Sequence, residues 1–390
     1  MHRIRLAQWG GVALAALLGV LMAVAARADI ILSSNDGHTV LGPHGELAAP
    51  AVPQPDTISV IDVGAYPPRI TQTVAVPGSV VGPPTAVWVA PDETWAIVTS
   101  ATRADGTAPN GIALDDRVSV LDLTATPPRI VQSLTSGLGA TTVRVTPDGR
   151  LALIVNRNDG TISVFSVHDK RLTAAGRLEV GKGTLPSGLA ILRDGRTALL
   201  SRFGDNMVSV LHIEGAHLTI DRRPITTGVA PYTLDVNAAG TLAAVSNMGR
   251  GDGDVDSVSL IDLTQAPPRT VDTVAVPSGP EPLKFSPDGA FLAVGAQMGS
   301  NKPASDPFHH GHGVVTMFAV EGTHLRQVAQ APVGPWAEGA AFSRDGHTLF
   351  IQNMGDDTIS VLRWDGKALT PGEALKVEGA GPESFGTAWP

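Results

Sequence analysis

One short strand pattern returns seven times along the chain, and it constrains the fold more than any other feature. Each copy alternates apolar residues with a central Ser or Thr, and successive copies lie 44 to 60 residues apart. A unit of this length holds about four short strands, which is one propeller blade. We therefore predict an all-β chain, a seven-bladed β-propeller with four-stranded blades. The copies are Thr57-Ile58-Ser59-Val60, Arg117-Val118-Ser119-Val120, Thr161-Ile162-Ser163-Val164, Met207-Val208-Ser209-Val210, Ser257-Val258-Ser259-Leu260, Val314-Val315-Thr316-Met317 and Thr358-Ile359-Ser360-Val361.

A tight turn precedes most of these copies. Asp bonds its own backbone and Gly accepts a positive φ, so an Asp-Gly pair marks a hairpin. We name the strands that flank this turn a and b, the repeated strand c, and the strand that follows it d. The clearest turns are Pro147-Asp148-Gly149, Arg193-Asp194-Gly195, Pro287-Asp288-Gly289 and Arg344-Asp345-Gly346.

The two ends of the chain predict how the ring closes. The first strand-like segment, Ile30 to Ser34, reads as a strand b with no strand a before it. Near the C-terminus, Gly381-Pro382-Glu383 matches Gly279-Pro280-Glu281, which opens a strand a. The last segment is therefore expected to complete the first blade, which leaves no free sheet edge between the first and last blades.

The first 28 residues have the pattern of an export signal. Arg3 and Arg5 form a charged start, Val12 to Val24 an apolar middle, and Ala26-Arg27-Ala28 a small-residue cleavage site. The apolar stretch is shorter than the ~20 residues that a membrane span needs. We predict a signal peptide over 1–28, a single propeller domain over 29–390, no stable membrane span after cleavage, and a periplasmic or secreted protein.

The amino-acid composition limits the kinds of partner that this protein can bind. The formal net charge is −9 and no basic runs are present, which argues against nucleic acid as a partner. The chain has no Cys, so disulfides and thiolate metal sites are excluded and an oxidising compartment is tolerated. The expected partner is a small-molecule ligand or a periplasmic protein.

The repeat resembles that of the YVTN-repeat, or lactonase-like, seven-bladed propellers. The best copy runs from Pro147-Asp148-Gly149 through Leu153-Ile154-Val155-Asn156 to Thr161-Ile162-Ser163-Val164. The resemblance implies the propeller fold over essentially the whole chain after residue 28. Members of this family include lactone hydrolases, a carboxymuconate-cyclising enzyme, surface-layer proteins and propellers that accompany quinone-dependent oxidation. No catalytic motif of those enzymes matches this sequence, so the resemblance leaves the chemistry open.

Loop lengths predict which face of the ring carries a site. The loops between strands b and c are long in blades one, two, five and six, and repeat proteins tend to place insertions on the binding face. In a meander blade these b–c loops share one face with the crossovers between blades. The long loops are Asn35 to Asp56, Ala101 to Asp116, Gly249 to Asp256 and Gly299 to Gly313.

A column of polar residues enters strand a from the same face. Aligned on the Asp-Gly turn, it reads Thr85, Thr141, Ser187, Tyr232, Glu281, Glu338 and Glu383. Strand a is innermost, so Glu281, Glu338 and Glu383, in consecutive blades, are expected at the mouth of the channel. Carboxylates held close together persist if they bind a cation, such as Ca²⁺, or if one keeps its proton as a general acid or base. Three solvated glutamates that point apart are the alternative.

Two groups of cationic residues are further candidates. Arg157 and Arg202 lie at the ends of strands b, while Arg144 and Lys284 lie within strands a, four residues before the turn Asp. Two such residues can hold a carboxylate or a lactone-derived acid. Pairing with a neighbouring acid is the alternative.

A His-rich loop is another possible metal site. Asp306-Pro307-Phe308-His309-His310-Gly311-His312 places His309, His310 and His312 beside an Asp, and Zn²⁺ or Cu²⁺ accepts such ligands. The spacing matches no closed zinc motif, so a solvated loop remains the alternative.

Two functions stay open. The first is an exported propeller that binds a small molecule or a partner protein on the long-loop face. The second is a lactone hydrolase or a related ring-opening or cyclising enzyme. In such an enzyme, Glu281, Glu338 and Glu383 would position a metal or activate water. Arg157 or Arg202 would stabilise the oxyanion that forms when water adds to the carbonyl.

Overall fold

The predicted seven-bladed β-propeller is confirmed. A computed structural model describes residues 29–389, so the predicted signal peptide at 1–28 lies outside the described residues. Within 29–389, seven antiparallel sheets follow one another along the chain, each with strand order a-b-c-d from one edge to the other. Both short helices in this range are 3₁₀ turns, Pro109–Gly111 and Met354–Asp356. No helix in it is long and apolar enough to cross a membrane.

The first three blades and their loops contain fifteen strands. Blade one has β1, β4 and β5, blade two β6, β7, β10 and β11, and blade three β12 to β15. The strands are β1 Ile30–Asp36, β2 Val40–Leu41, β3 Leu47–Ala48, β4 Thr57–Asp62, β5 Arg69–Ala75, β6 Val87–Val89, β7 Trp95–Thr99, β8 Thr102–Ala104, β9 Ile112–Leu114, β10 Arg117–Asp122, β11 Arg129–Thr135, β12 Ala140–Val145, β13 Leu151–Asn156, β14 Thr161–His168 and β15 Arg171–Glu179.

The remaining four blades contain eighteen strands, and the last strand of the chain, β34, belongs to blade one. Blade four has β16 to β20, blade five β21 to β24, blade six β25 to β28, and blade seven β29 to β33. The strands are β16 Pro186–Ile191, β17 Thr197–Arg202, β18 Met207–Glu214, β19 His217–Ile220, β20 Ile225–Thr226, β21 Pro231–Val236, β22 Leu242–Asn247, β23 Asp256–Asp262, β24 Arg269–Val276, β25 Pro280–Phe285, β26 Phe291–Ala296, β27 Gly313–Glu321, β28 His324–Val333, β29 Ala337–Phe342, β30 Thr348–Asn353, β31 Thr358–Trp364, β32 Leu369–Pro371, β33 Leu375–Lys376 and β34 Gly381–Thr387.

The ring closes as the chain ends predict. β34 pairs with β1 as strand a of blade one, with Leu32 opposite Gly386 and Ser34 opposite Ser384. The innermost strands then contact one another in an unbroken circle, β34 to β6, β12, β16, β21, β25, β29 and back to β34. The first and last blades therefore meet without an open seam in the ring.

The apolar core lies between blades. One buried cluster joins Ile97 and Val120 of blade two to Ile154 and Phe165 of blade three. Strands b and c are buried on both faces, because each sheet packs against a neighbour on either side.

Polar positions in the repeat hold strand b to strand c. Asn156, at the end of strand b in blade three, donates from Nδ2 to Thr161 Oγ1 and Ser163 Oγ, both at 2.9 Å. Asn35, Asn247 and Asn353 make the same pair of bonds in blades one, five and seven. The recurring Asn and Thr-x-Ser therefore satisfy each other inside the sheet, where an unpaired amide is costly.

Strand a carries a β-bulge at the same place in six blades. The register between strands a and b shifts there in β12, β16, β21, β25, β29 and β34. The shifts fall at Thr141, Ser187, Tyr232, Glu281, Glu338 and Glu383, which are members of the sequence column. A bulge re-aims the extra side chain, so these residues leave the alternation of the strand.

Candidate functional site

The three predicted glutamates lie at one end of the central channel, and all three are buried. We call this the upper end, because it lies on the face of the b–c loops and the crossovers. Glu281, Glu338 and Glu383 are 4%, 1% and 2% exposed. The alternative of three solvated carboxylates pointing apart is therefore wrong.

Glu281 and Glu338 form a hydrogen-bonded carboxyl pair, in which Glu338 donates to Glu281. Gln297 Nε2 also donates to Glu281 Oε2. Burial raises the pKa of Glu281 to about 8, against the lowering effect of the Glu338 bond and of the Arg157 charge. Burial also raises the pKa of Glu338 far above its usual range, and the charge of Glu281 adds to that effect. The pair therefore holds at least one proton at neutral pH.

Glu383 is the third carboxyl of the cluster, and it faces blade one. Burial raises its pKa well above the usual value. The negative charges of Asp36 and Asp56 raise it further, whereas the Ser34 hydroxyl opposes the shift. Among residues 29–389, the three glutamates do not bring one oxygen each within 4.8 Å of the others. The predicted metal role of this trio therefore stays a prediction, with no shared cage to support it.

A crossover segment covers the carboxyls. It runs from Pro77 to Pro84, and we call it the channel plug. Val80 packs against Trp336 and Met354 of blade seven, and its backbone N–H donates to Asp36 Oδ2 at 2.9 Å. Gly82 lies against Thr141 so closely that a Cβ there would come within 1.3 Å of Thr141 Oγ1. The plug therefore touches blades seven, one and three at once and shields the carboxyls from water.

The two predicted arginines have different surroundings. Arg157 points to the channel, where its guanidinium stacks 4.5 Å from the Phe203 ring and 5.4 Å from the Tyr232 ring and lowers the pKa of Glu281. Arg202 takes the place of the strand-end Asn in blade four: it bonds Ser209 Oγ and pairs with Asp205. Arg157 thus belongs to the site, whereas the contacts of Arg202 are those of a structural residue.

The long loops meet one another above the plug. Ala49 N–H of the blade-one loop donates to Asn110 O of the blade-two loop at 2.7 Å. On the other side, a Cβ on Gly45 would lie 3.3 Å from Pro303 of the blade-six loop. The blade-five loop joins them, because the Phe308 ring packs against Gly253. The four insertions therefore form a continuous collar on the upper face.

The collar encloses a cavity of about 590 Å³, which we call the loop pocket. Residues from blades one, four, five and six line it, and they include His44, Phe203, Met248, Arg250, Gln297 and Lys302. Gln297 links this cavity to the carboxyl pair, because its amide bonds Glu281. Lys302 Nζ lies 3.5 Å from Asp306 Oδ2, while none of the ion pairs in the described chain involves Arg250.

The His-rich loop does not gather its ligands. His309 Nδ1 lies 2.9 Å from Lys302 O, and His312 Nδ1 lies 3.0 Å from Gly313 O. No three-ligand group in the described chain includes His309, His310 or His312. These bonds to backbone oxygens leave the zinc or copper reading of the loop as a sequence prediction only.

Sequence reasoning missed one cluster beside the plug. His38 Nδ1 lies 2.6 Å from Asp56 Oδ1 and 3.0 Å from Asp36 Oδ1, and its Nε2 lies 3.1 Å from Thr102 Oγ1. Burial alone lowers the pKa of His38, but the Asp56 bond and the Asp36 charge outweigh it and raise the pKa. Asp36 accepts backbone N–H groups of His38, Thr39 and Val80, so the cluster fastens the plug to blades one and two. No repeat signal marks His38, because it lies in the long blade-one loop.

Comparisons with solved structures show the same architecture. A functionally unknown protein from Desulfotomaculum acetoxidans superposes with a TM-score of 0.69 at 15% identity, covering 93% of this chain and 99% of that one. For a putative 6-phosphogluconolactonase from Bacteroides uniformis, the TM-score is 0.70 at 14% identity, with 91% and 98% covered. The periplasmic gluconolactonase of Pseudomonas aeruginosa gives 0.66 at 17% identity, with 92% and 100% covered.

These likenesses establish the fold. The chain is a seven-bladed propeller, and the solved structures that share its fold include two described as putative 6-phosphogluconolactonases and one described as a periplasmic gluconolactonase. No family model matches the sequence. No curated protein matches it either.

Proposed function

We propose that this protein binds a small hydroxylated carboxylic acid, or the corresponding lactone, in the loop pocket. The loop pocket itself carries the proposal: four blades build it, and the long loops of blades one, five and six converge on it. Its volume of about 590 Å³ lies in the range typical of small-molecule sites.

The lining supports this ligand class. Arg250 and Lys302 provide positive charge at the rim for a carboxylate. Gln297 and Asn301 offer amide groups for hydroxyls, and Phe203 provides an apolar face for the carbon skeleton. Asp306 in the same lining pairs with Lys302, so Arg250 leaves the cavity with a net positive charge that favours an anion.

The structural neighbours support the same ligand class and an exported location. Two of them are described as a putative 6-phosphogluconolactonase and a periplasmic gluconolactonase. A periplasmic location for this chain agrees with the charged start, apolar middle and cleavage site of residues 1–28.

Calorimetric titration of the purified chain with gluconate and with glucono-lactone tests the proposal. We expect saturable binding of at least one, and at least a tenfold loss in the double variant Arg250→Gln/Lys302→Gln. A matched control, Lys170→Gln/Arg171→Gln, removes the same charge from the exposed c–d turn of blade three on the opposite face. Equal affinity in both double variants would place the ligand elsewhere.

Lactone hydrolysis is the second candidate, and the raised pKa of Glu281 favours it. A carboxylate whose acid form has a pKa of about 8 is a stronger base than an ordinary glutamate, and in its ionised form it can take a proton from water, so activity should rise as pH approaches 8. Water would add to the lactone carbonyl, the ring C–O bond would break, and the ring oxygen would receive a proton to give the hydroxy acid. Against this reading, Glu281 is buried beneath Gln297, which makes binding the better-supported function.

One assay distinguishes binding alone from hydrolysis. Acid release from glucono-lactone, corrected for spontaneous opening, should exceed the blank only for an enzyme. Loss of that excess in Glu281→Gln, with binding retained, would establish hydrolysis. Binding without turnover in the unmodified protein supports the first candidate alone.

A protein partner on the same face is supported by exposed apolar side chains. Within 29–389, nine of the eleven exposed large hydrophobic residues lie in upper-face loops, crossovers or strand ends, namely Val40, Leu47, Val52, Leu114, Leu138, Met207, Val229, Val255 and Phe308. Surface residues of this kind mark interaction sites when they gather on one face. Capture of a periplasmic protein that is lost in Val52→Asp/Val255→Asp would support this role.

A further inference from the structure

The lower end of the channel contains a second cavity, on the face of the a–b turns. Its volume is about 250 Å³, and strands a of blades one, two, three, five, six and seven line it. Pro84 and Thr85, at the end of the channel plug, form part of its lining. The plug therefore lies between this cavity and the carboxyl cluster of the upper end.

Charge in the lower cavity is positive. Arg144, Lys284 and Asp235 are its charged lining residues. Lys284 Nζ pairs with Asp235 Oδ1 at 3.3 Å, and Asp235 Oδ2 accepts the Phe285 N–H at 3.0 Å. One carboxylate thus faces two cations, and its oxygens are engaged by Lys284 and by the backbone.

Arg144 is the cation without an ion-pair partner. Its Nη1 donates to the backbone oxygens of Val143 at 2.8 Å and Thr85 at 3.3 Å. None of the ion pairs in the described chain includes Arg144, and no acceptor there bonds its Nε or Nη2. Burial lowers the pKa of Arg144 while the Asp235 charge opposes the shift, so an anion at this place would relieve a desolvated charge.

Three aromatic residues, Trp88, Phe385 and Trp389, belong to the otherwise largely apolar lining, and contacts hold both tryptophans in place. Trp88 packs edge-on against Trp95 with ring centroids 4.9 Å apart. Trp389 Nε1 donates to Phe342 O at 2.8 Å, and the Arg344 guanidinium lies 4.6 Å from the Trp389 ring. Walls fixed in this way reduce the ordering cost of binding.

We propose that the lower cavity is a binding site for a small aromatic or branched aliphatic monocarboxylate. The carboxylate bonds the free edge of Arg144, with Lys284 nearby, and the apolar part of the ligand packs against Trp88, Phe385 and Trp389. A guanidinium presents paired donors that match a carboxylate. An engineered apolar cavity of about 150 Å³ admits benzene, so 250 Å³ accommodates a benzoate-sized anion.

The site is separate from the one in the proposed function. It lies at the opposite end of the channel, and its lining shares no residue with the loop pocket. Its ligand is also different, because aromatic walls replace the amides that would bind hydroxyls.

Titration of the full chain with benzoate tests the proposal, followed by calorimetry and by the fluorescence of the lining tryptophans. We expect one saturable site with a Kd below about 10 mM, no binding of the neutral analogue benzyl alcohol, and at least a tenfold loss of affinity in Arg144→Gln. Arg129→Gln removes an exposed arginine on the same side of the ring and should leave the affinity unchanged.

Two further variants test whether any loss of affinity comes from the lower cavity. Arg144→Lys keeps the charge but loses the paired donors, so we expect an intermediate affinity, and it serves if Arg144→Gln does not fold. Arg250→Gln/Lys302→Gln should bind benzoate as tightly as the unmodified protein. Absence of saturable binding, equal affinity in Arg144→Gln, or loss only in the loop-pocket variant would each overturn the proposal.

Discussion

The two ends of the central channel are built from the same inner strands, yet they carry opposite chemistry. The upper end holds Glu281, Glu338 and Glu383 under the plug, whereas the lower end holds Arg144 and Lys284 in a cavity. The upper and lower residues form two sequence columns three positions apart, as Glu281 and Lys284 show. In a regular strand, residues three apart point to opposite faces. The bulge between them restores a common direction, so both columns reach the channel.

This comparison shows that one local irregularity, repeated around a ring, creates two sites. The carboxyls are tolerated because the pair shares a proton and Gln297 bonds it. The cations are tolerated because Asp235 partly offsets them and the cavity admits solvent or an anion. Substitutions can therefore change one end of the channel without changing the other, whereas loss of a shared strand changes both.

Removal of the strand shared by both ends should have the largest effect. Truncation at Glu383, which deletes residues 383–390, takes Glu383 from the upper end and Phe385 and Trp389 from the lower end. It also reopens the ring, because β1 loses its partner β34. We expect a loss of more than about 5 kcal/mol, which most domains do not survive. Thermal unfolding by circular dichroism would show it, and an unchanged Tm would contradict circular closure.

Disruption of the plug should cost less and should affect the upper end first. Gly82 has a φ of +121°, and a Cβ would lie 1.3 Å from Thr141 Oγ1. We expect Gly82→Ala to lower the free energy of unfolding by about 2–4 kcal/mol in urea titration. Gly106→Ala is the matched control, because nothing lies within 4 Å of a Cβ there. Equal effects of the two substitutions would mean that the plug is not tightly seated.

The carboxyl pair predicts how stability depends on pH. The folded chain keeps a proton on Glu281 up to a pKa of about 8, whereas the unfolded value is 4.5. Between these values the folded state binds more protons at this pair, so the pair's contribution to stability is greatest below pH 4.5 and falls as pH rises toward 8. Glu338→Gln should reduce this slope by up to about 1.4 kcal/mol per pH unit, as measured by urea unfolding at several pH values. The exposed Glu378→Gln should leave the slope unchanged, and a slope unaffected by Glu338→Gln would refute a shared proton.

The smallest effect is expected at the lower end. Asp235→Asn removes the carboxylate that competes for Lys284 and Arg144. We expect a loss of about 1 kcal/mol in stability and a gain of severalfold in benzoate affinity, since both cations become free for the ligand. Calorimetry measures the benzoate affinity of this variant, and a decrease in affinity would show that Asp235 positions the cations instead.

Much of the architecture follows from the sequence because it is repeated. Thr161-Ile162-Ser163-Val164 and its six relatives, together with the Asp-Gly turns, give the number of blades and the order of strands. The match between Glu383 and Glu281 gives the closure. The same alignment places Glu281, Glu338 and Glu383 in one column, and Arg144 and Lys284 in another.

The side-chain contacts within the sites could be predicted less well from the sequence, as two arginines illustrate. Arg157 and Arg202 look equivalent in sequence, since both lie at the end of a strand b. Arg157 turns to the channel and stacks on Phe203, while Arg202 pairs with Asp205, a partner three residues away. His38 lies in a loop that only blade one contains, so no repeat could reveal its contacts with Asp36 and Asp56.

The closed ring of seven blades follows from the amino-acid sequence alone, because periodic apolar residues and turn residues act over short distances. Which side chains meet depends on the complete fold, since the bulges, the plug and the loop collar bring together residues up to several blades apart. The direction of a side chain at a bulge, and the burial that raises the pKa of a carboxyl, depend on neighbours that short-range patterns do not encode.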